Sequence, residues 1–279
     1  MERKKTGLTI IELLIVLGII AILTGLLVPS LSVVRKTAKE TKQKAQFATI
    51  GLALEAFKND YGDYPPSSLS PGPGYSGSQR LAEALLGWDL LGFHPSSAWR
   101  GDGLDATGGP GSYDPAQTRD INGDGVPDTF DERKGPYLEL ANVGAFRLLD
   151  LFGTNALGPL DPNTFVICDV FGAKKISMAN GKIVRAGAPI LYYRANTSGK
   201  MITTIYNVGD NIFFILVKQM ADGRDHPLLS PTNQFFYNYI QDPKITARDW
   251  PYRPDSYILI SAGADGLYGT PDDITNFGN

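Results

Sequence analysis

Cysteine is nearly absent from this chain of 279 residues. Cys168 stands alone, which excludes an intramolecular disulfide and a zinc centre built from several thiolates. Histidine is almost as scarce: His94 and His226 leave little material for an imidazole-based catalytic centre. Neither charge sign dominates, since 26 Lys and Arg against 29 Asp and Glu give a net charge of -3. No nucleic-acid partner is expected from that balance. G-x-S-x-G, P-loop and H-E-x-x-H motifs are all missing, and no enzyme is expected. Cys168 lies in the apolar strand pattern Phe165-Val-Ile-Cys-Asp-Val170 and reads as a buried structural thiol. His94 precedes Pro95 in a loop with no evident partner.

Glycine and proline, by contrast, are frequent (31 and 19) and clustered, which points to long ordered loops. A long apolar run is also present. Leu8 to Val28 contains only apolar or small residues apart from Glu12 and two threonines. As a helix it would extend about 30 Å, the thickness of a bilayer core. Arg3, Lys4 and Lys5 precede it as in a secretory signal. The run is too long for such a signal, however, and no small-x-small cleavage site follows it. Read plainly, it is a transmembrane anchor in which Glu12 snorkels to the interface. Arg35, Lys36, Lys39, Lys42 and Lys44 follow the run, so the positive-inside rule does not decide orientation. That cluster reads as a solvated face or as a contact with anionic headgroups.

Gly7-Leu8-Thr9-Ile10-Ile11-Glu12, after a short basic leader and before the apolar run, resembles the class III signal of type IV pilins and pseudopilins. The resemblance implies that a prepilin peptidase cuts between Gly7 and Leu8 and methylates the new amine on Leu8. It implies that Glu12, the fifth mature residue, pairs with the N-terminal amine of a neighbouring subunit during assembly. Pro29 matches the proline that often kinks the family's helix. Leu8 replaces the usual Phe at the first mature position. Pairing would offset the penalty of two charges in an apolar bundle.

Phe47, Ile50, Leu54, Phe57 and Tyr61 recur at steps of three and four and mark one helical face. Val34, Ala38, Thr41, Ala45 and Ala48 form a smaller stripe. We therefore expect one helix over residues 8 to 61, bent near Pro29, membrane or filament core in its first half and packed on a head in its second. Gly62, Pro65 and Pro66 close it, in a segment that resembles the helix exit of the major pseudopilins of type II secretion. The expected organisation is a leader over 1–7, a core helix over 8–30, an amphipathic helix over 31–62 and a head over 63–279. Helices are expected over Gln79–Leu91 (with Leu81, Leu85, Trp88 and Leu91 in contact with the core) and Asn142–Phe152. Strands are expected over Thr164–Phe171, Ile190–Ala195, Ile212–Val217 and Ser256–Ser261, with a weak hairpin over Ile176–Val184 turning at Asn180-Gly181. The expected fold class is α+β, a long N-terminal helix packed on a small antiparallel sheet with long loops.

Two Asp/Gly-rich loops carry candidate metal chemistry. Asp120, Asn122, Asp124, Asp128 and Asp131 occupy positions 1, 3, 5, 9 and 12 of the calcium-loop template, with Gly125 at 6 and the Val126 carbonyl at 7. Asp in place of Glu at position 12 shortens the bidentate reach. The second loop, Ser261 to Asn276, resembles the calcium-binding end of the major pseudopilin. That resemblance implies Asp265, Asp272 and Asp273 as side-chain ligands and Leu267 as a carbonyl donor. Weak calcium sites, with dissociation constants of about 0.1 to 1 mM, would fill only outside the cytoplasm.

The resemblance thus implies a structural subunit of a type IV pilus-like filament or type II secretion pseudopilus. Its partners would be copies of itself, other pilin-like subunits, the prepilin peptidase and an inner-membrane assembly platform. It would sit in the inner membrane before assembly and in a periplasmic or cell-surface filament afterwards. The extra length between about Thr197 and Pro254 leaves major and minor subunits both open. A membrane-anchored calcium-binding or adhesive module that never polymerises is the contrasting reading.

Overall fold

A computed structural model describes residues 9–68, 74–104, 112–113, 132–140, 143–153, 158–172, 174–178, 181–217, 223–229 and 234–278, with the side chains of 26–30 and 32 outside that set. The chain is α+β and divides into two units, Met1–Thr41 and Lys42–Asn279. Helix α1 runs over Ile10–Tyr61. Its helical backbone continues through Pro29, whose side chain lies outside the described set.

In the first unit every described side chain from residue 9 to residue 39 is exposed. Among the described residues, no helix is long and apolar enough to cross a membrane. The described side chains of residues 10–25 cover about 24 Å at 1.5 Å per residue, short of a bilayer core of about 30 Å. In sequence the apolar run continues to Val28.

Within the second unit α1 buries Phe47, Ile50, Leu54 and Phe57, as the spacing predicts, with Tyr61 half-buried. The smaller stripe does not pack: Val34, Ala38, Thr41, Ala45 and Ala48 are all exposed. Two glutamines begin the packed face instead. The Gln46 amide donates to the Cys168 carbonyl at 3.0 Å, and the Gln43 side-chain oxygen accepts from the Val170 N–H at 2.9 Å. Gly62, at φ +85°, ends the helix and donates to the Lys58 carbonyl.

Helix α2 spans Gly77–Leu86, starting earlier and ending sooner than its pattern predicts. Gly87, at φ +93°, stops it, so Trp88 is only half-buried and Leu91 is exposed. The segment expected as a helix over Asn142–Phe152 is instead strand β1 (Gly144–Arg147) followed by helix α3 (Leu148–Phe152). Strand β2 (Phe165–Cys168) pairs antiparallel with β1. Strands β3 (Lys174–Ser177) and β4 (Ile183–Ala186) form the expected hairpin, closed by Met178 and Lys182, with residues 179–180 outside the described set. Strand β5 (Leu191–Arg194) precedes helix α4 (Ile202–Ile205), a 3-10 turn (Val208–Asn211), and helices α5 (Ile212–Leu216) and α6 (Gln234–Ile240). Strands β6 (Tyr257–Ser261) and β7 (Ile274–Thr275) complete an antiparallel sheet in the order β5-β6-β7.

Among the described residues, three small antiparallel sheets stand in place of the single expected one. Ile212–Val217, expected as a strand, is helical over Ile212–Leu216, and the described residues between β5 and β6 include several short helices. The β5-β6 pair explains the two hydrophobic cores. Tyr192, Tyr257 and Leu259 pack with the α1 stripe and α2. Leu191, Tyr193, Ile258 and Ile260 pack with Phe214, Ile215, Phe236 and Ile240. Strand alternation sends neighbours to opposite faces, and both faces are covered, so the run Tyr257-Ile-Leu-Ile260 is apolar throughout.

Polar ties fix α2 over β5. Asn211 accepts from the Ser78 N–H and hydroxyl at 2.8 and 2.9 Å, and donates to the Tyr192 carbonyl at 2.7 Å. Nearby, buried Asp210 accepts the Ser67 hydroxyl at 2.5 Å, and burial pushes its carboxyl up to about 6 despite that bond. A raised folded-state pKa gives stability that is complete below the unfolded value of about 3.9 and is lost as pH rises through about 6. Asp210→Asn keeps an acceptor for Ser67 and removes the buried charge. We expect it to flatten the pH dependence of denaturant midpoints between pH 4 and 6, and to add on the order of 2 kcal/mol at pH 7. A parallel displacement of the curve at all pH values would refute this account of Asp210.

Candidate metal loop and helix terminus

The C-terminal loop leaves β6 at Ser261, whose hydroxyl donates to buried Asp169 at 3.0 Å. Gly263 then turns at φ +64°, with its missing Cβ facing the Asp272 backbone. This close return brings Asp272 back over the start of the loop. Its Oδ2 accepts from the Ala264 and Asp265 N–H groups at 2.7 and 3.1 Å, and its Oδ1 accepts from the Thr270 hydroxyl at 2.6 Å. Asp273 Oδ2 accepts from the Gly269 N–H at 2.7 Å and the Tyr239 hydroxyl at 2.8 Å.

Thr270 is the centre of this arrangement. Its Oγ1 lies 2.6 Å from Asp272 Oδ1, 3.4 Å from Asp273 Oδ1 and 3.3 Å from the Leu267 carbonyl oxygen. One hydroxyl carries one proton, so three acceptors compete for it. Asp272, Asp273 and Leu267 are three of the four donors that the resemblance implies. The fourth, Asp265, accepts from the Leu267 N–H at 2.8 Å and also makes a side-chain hydrogen bond with Asp272. Among the described residues, no group of three His, Cys, Asp or Glu side chains could hold a metal ion. The convergent set is two carboxylates and a carbonyl, all hard oxygen donors of the type Ca2+ takes.

The two carboxyls differ electrostatically. Burial pushes Asp273 up to about 7, against the hydrogen bonds from Gly269 and Tyr239. Burial also raises Asp272, but hydrogen bonds from Thr270 and from the Asp265 and Ala264 N–H groups outweigh it and hold the group below the usual range. An adjacent cation would relieve Asp273 and complete the coordination that one hydroxyl leaves short.

At the other end, α1 opens with a reciprocal cap. Thr9 donates through its N–H and its hydroxyl to Glu12 Oε2 at 2.9 and 2.8 Å, while the Glu12 N–H donates to Thr9 Oγ1 at 3.3 Å. This satisfies donors that the first turn leaves free and holds the Glu12 carboxylate at the helix terminus. Gly7 and Leu8 lie outside the described residues, as do Asp120, Asn122, Asp124, Val126, Asp128 and Asp131.

Thr270 and Tyr239 were not singled out by sequence reasoning. A hydroxyl two residues before an Asp pair in a glycine-rich loop is a weak signal for Thr270; Tyr239 comes from another element and leaves none. No family model, no curated protein and no solved structure matches the chain.

Proposed function

We propose that the chain is a structural subunit of a pilin-like filament, a type IV pilus or type II secretion pseudopilus, assembled through its N-terminal helix. The observation that carries this reading is the exposure of α1 over residues 10–25. Ile10, Ile11, Leu14 and Ile22 are more than 60% exposed, and an apolar surface all round a helix demands burial in lipid or against other helices. Glu12, capped by Thr9 at the edge of that surface, supplies the charge that a neighbour's N-terminal amine would meet. The chain sits in the inner membrane before assembly, is cut between Gly7 and Leu8, and then enters a helical fibre of like subunits. Negative-stain images of sheared surface material, with the fibre protein identified by mass spectrometry, test this directly. Fibres lacking this chain, from cells that express it, would count against the reading.

The same reading assigns Ca2+ to the C-terminal loop, held by Asp272, Asp273 and the Leu267 carbonyl. Asp265 would join through the carboxylate oxygen that the Leu267 N–H does not use. The ion's chemistry here is structural: it ties the last loop to β6 in a chain without disulfides. At ten times its dissociation constant an ion adds about 1.4 kcal/mol. Chelating calcium is therefore expected to lower the melting temperature of the full chain in detergent and to expose the C-terminal loop to protease. Unchanged melting and proteolysis would remove the metal from this account.

A further inference from the structure

Thr270 and Asp273 also border an open cleft of about 610 Å3 between the end of α6 and the final loop. Its other determinants are the amides of Asn238 and Gln241 and the rings of Tyr252 and Phe277. That volume falls in the range of small-ligand sites. Among the described residues lining it there is no Lys, Arg or His, and Asp273 contributes a carboxylate. Such a lining disfavours phosphate, sulfate and carboxylate ligands.

The unused hydrogen-bonding groups are informative. Asn238 Oδ1 accepts from Gln234 at 2.8 Å, which leaves the Asn238 N–H groups as donors. Gln241 Nε2 donates to Asp249 at 2.9 Å, which leaves the Gln241 carbonyl as an acceptor. The Tyr252 hydroxyl is both donor and acceptor. Tyr239 and Phe277 meet edge-on at 6.0 Å, and Tyr252 leans on Phe277 at 5.3 Å. The rings support one another and do not enclose a gap as a cage for an ammonium group would. Tyr252 remains half-exposed.

We propose that this cleft binds a neutral oligosaccharide, with the Tyr252 ring against the CH face of a pyranose and the amides of Asn238 and Gln241 on its hydroxyls. Each sugar hydroxyl both donates and accepts, which is the mixture these three side chains leave open. The proposal depends on neither filament assembly nor the metal.

The test uses the full chain in a detergent without a sugar headgroup, on an array of neutral gluco-, manno- and galacto-oligosaccharides with sialylated and sulfated glycans alongside. Binding to at least one neutral class, confirmed by calorimetry, is expected. Tyr252→Ala should weaken it by about tenfold or more, the size of effect expected from an aromatic anchor. The double change Asn238→Ala, Gln241→Ala, on partly exposed positions, should do so with unchanged melting and provides the test if Tyr252→Ala fails to fold. Binding of charged glycans only, no binding at millimolar concentration, or neutral binding that survives the amide substitutions would overturn the proposal.

Discussion

Glu12→Leu is expected to leave removal of the leader intact and to abolish entry of the chain into filaments. The leader and the Gly7-Leu8 bond are untouched by the change, and leucine suits the apolar run better than glutamate does. N-terminal sequencing of the variant should therefore begin at Leu8. Assembly is a different matter, because on the proposed reading cleavage would create an ammonium on Leu8 that an apolar bundle could accept only with a counter-charge. In the isolated chain the Glu12 carboxylate is already oriented by two bonds from Thr9, so it is ordered before any partner arrives. The variant is expected to be missing from the sheared filament fraction, as breaking one member of a buried charge pair implies. Glu12→Asp, with the charge kept and the reach shortened, should retain part of the assembly. Efficient incorporation of the leucine variant would mean that Glu12 has no part in joining subunits. An intact Met1 in the mature protein would refute the processing step separately.

The largest effect on folding is expected at Gly77. A Cβ there would fall far inside contact distance of the Tyr192 carbonyl oxygen and 2.9 Å from Asn211 Nδ2. The first obstacle is backbone of β5 and the second is the side chain that ties α2 to it. Neither can yield without parting α2 from β5. Gly77→Ala is thus expected to cost about 3 kcal/mol or more, at or above the top of the usual range for overpacking, read as a shift in denaturant midpoint. A variant as stable as its parent would show that α2 can lift from the sheet at little cost.

The parts of this fold that sequence made legible are those where one periodicity has one meaning. The steps of three and four through Phe47, Ile50, Leu54 and Phe57 extend over too many turns to be anything but a helix face, and those residues are buried. Short apolar runs are ambiguous by nature. Ile212-Phe-Phe-Ile-Leu216 is rich in strand-forming residues, yet it folds as a helix because the 3-10 turn before it is held to α2 and β5 by Asn211. The tie to α2 joins residues 133 positions apart and leaves no local trace. Gly144-Ala-Phe-Arg147 failed in the opposite direction, pulled out of a helical pattern by pairing with β2. In the candidate metal loop the acidic residues were legible as a class. Which of them converge was not, because that depends on Gly263 folding Asp272 back over the loop.

Gln43 and Gln46 have a consequence for how such an assembly could be taken apart. Both are buried, and both hold α1 to the end of β2 through neutral amides. Mobile ions screen exposed charges within about 10 Å at 0.1 M salt and scarcely affect buried dipoles. The joint between helix and head should therefore survive concentrated salt that weakens contacts made through charge. If the chain assembles as proposed, subunits released by such treatment would come away with the head still fastened to its helix.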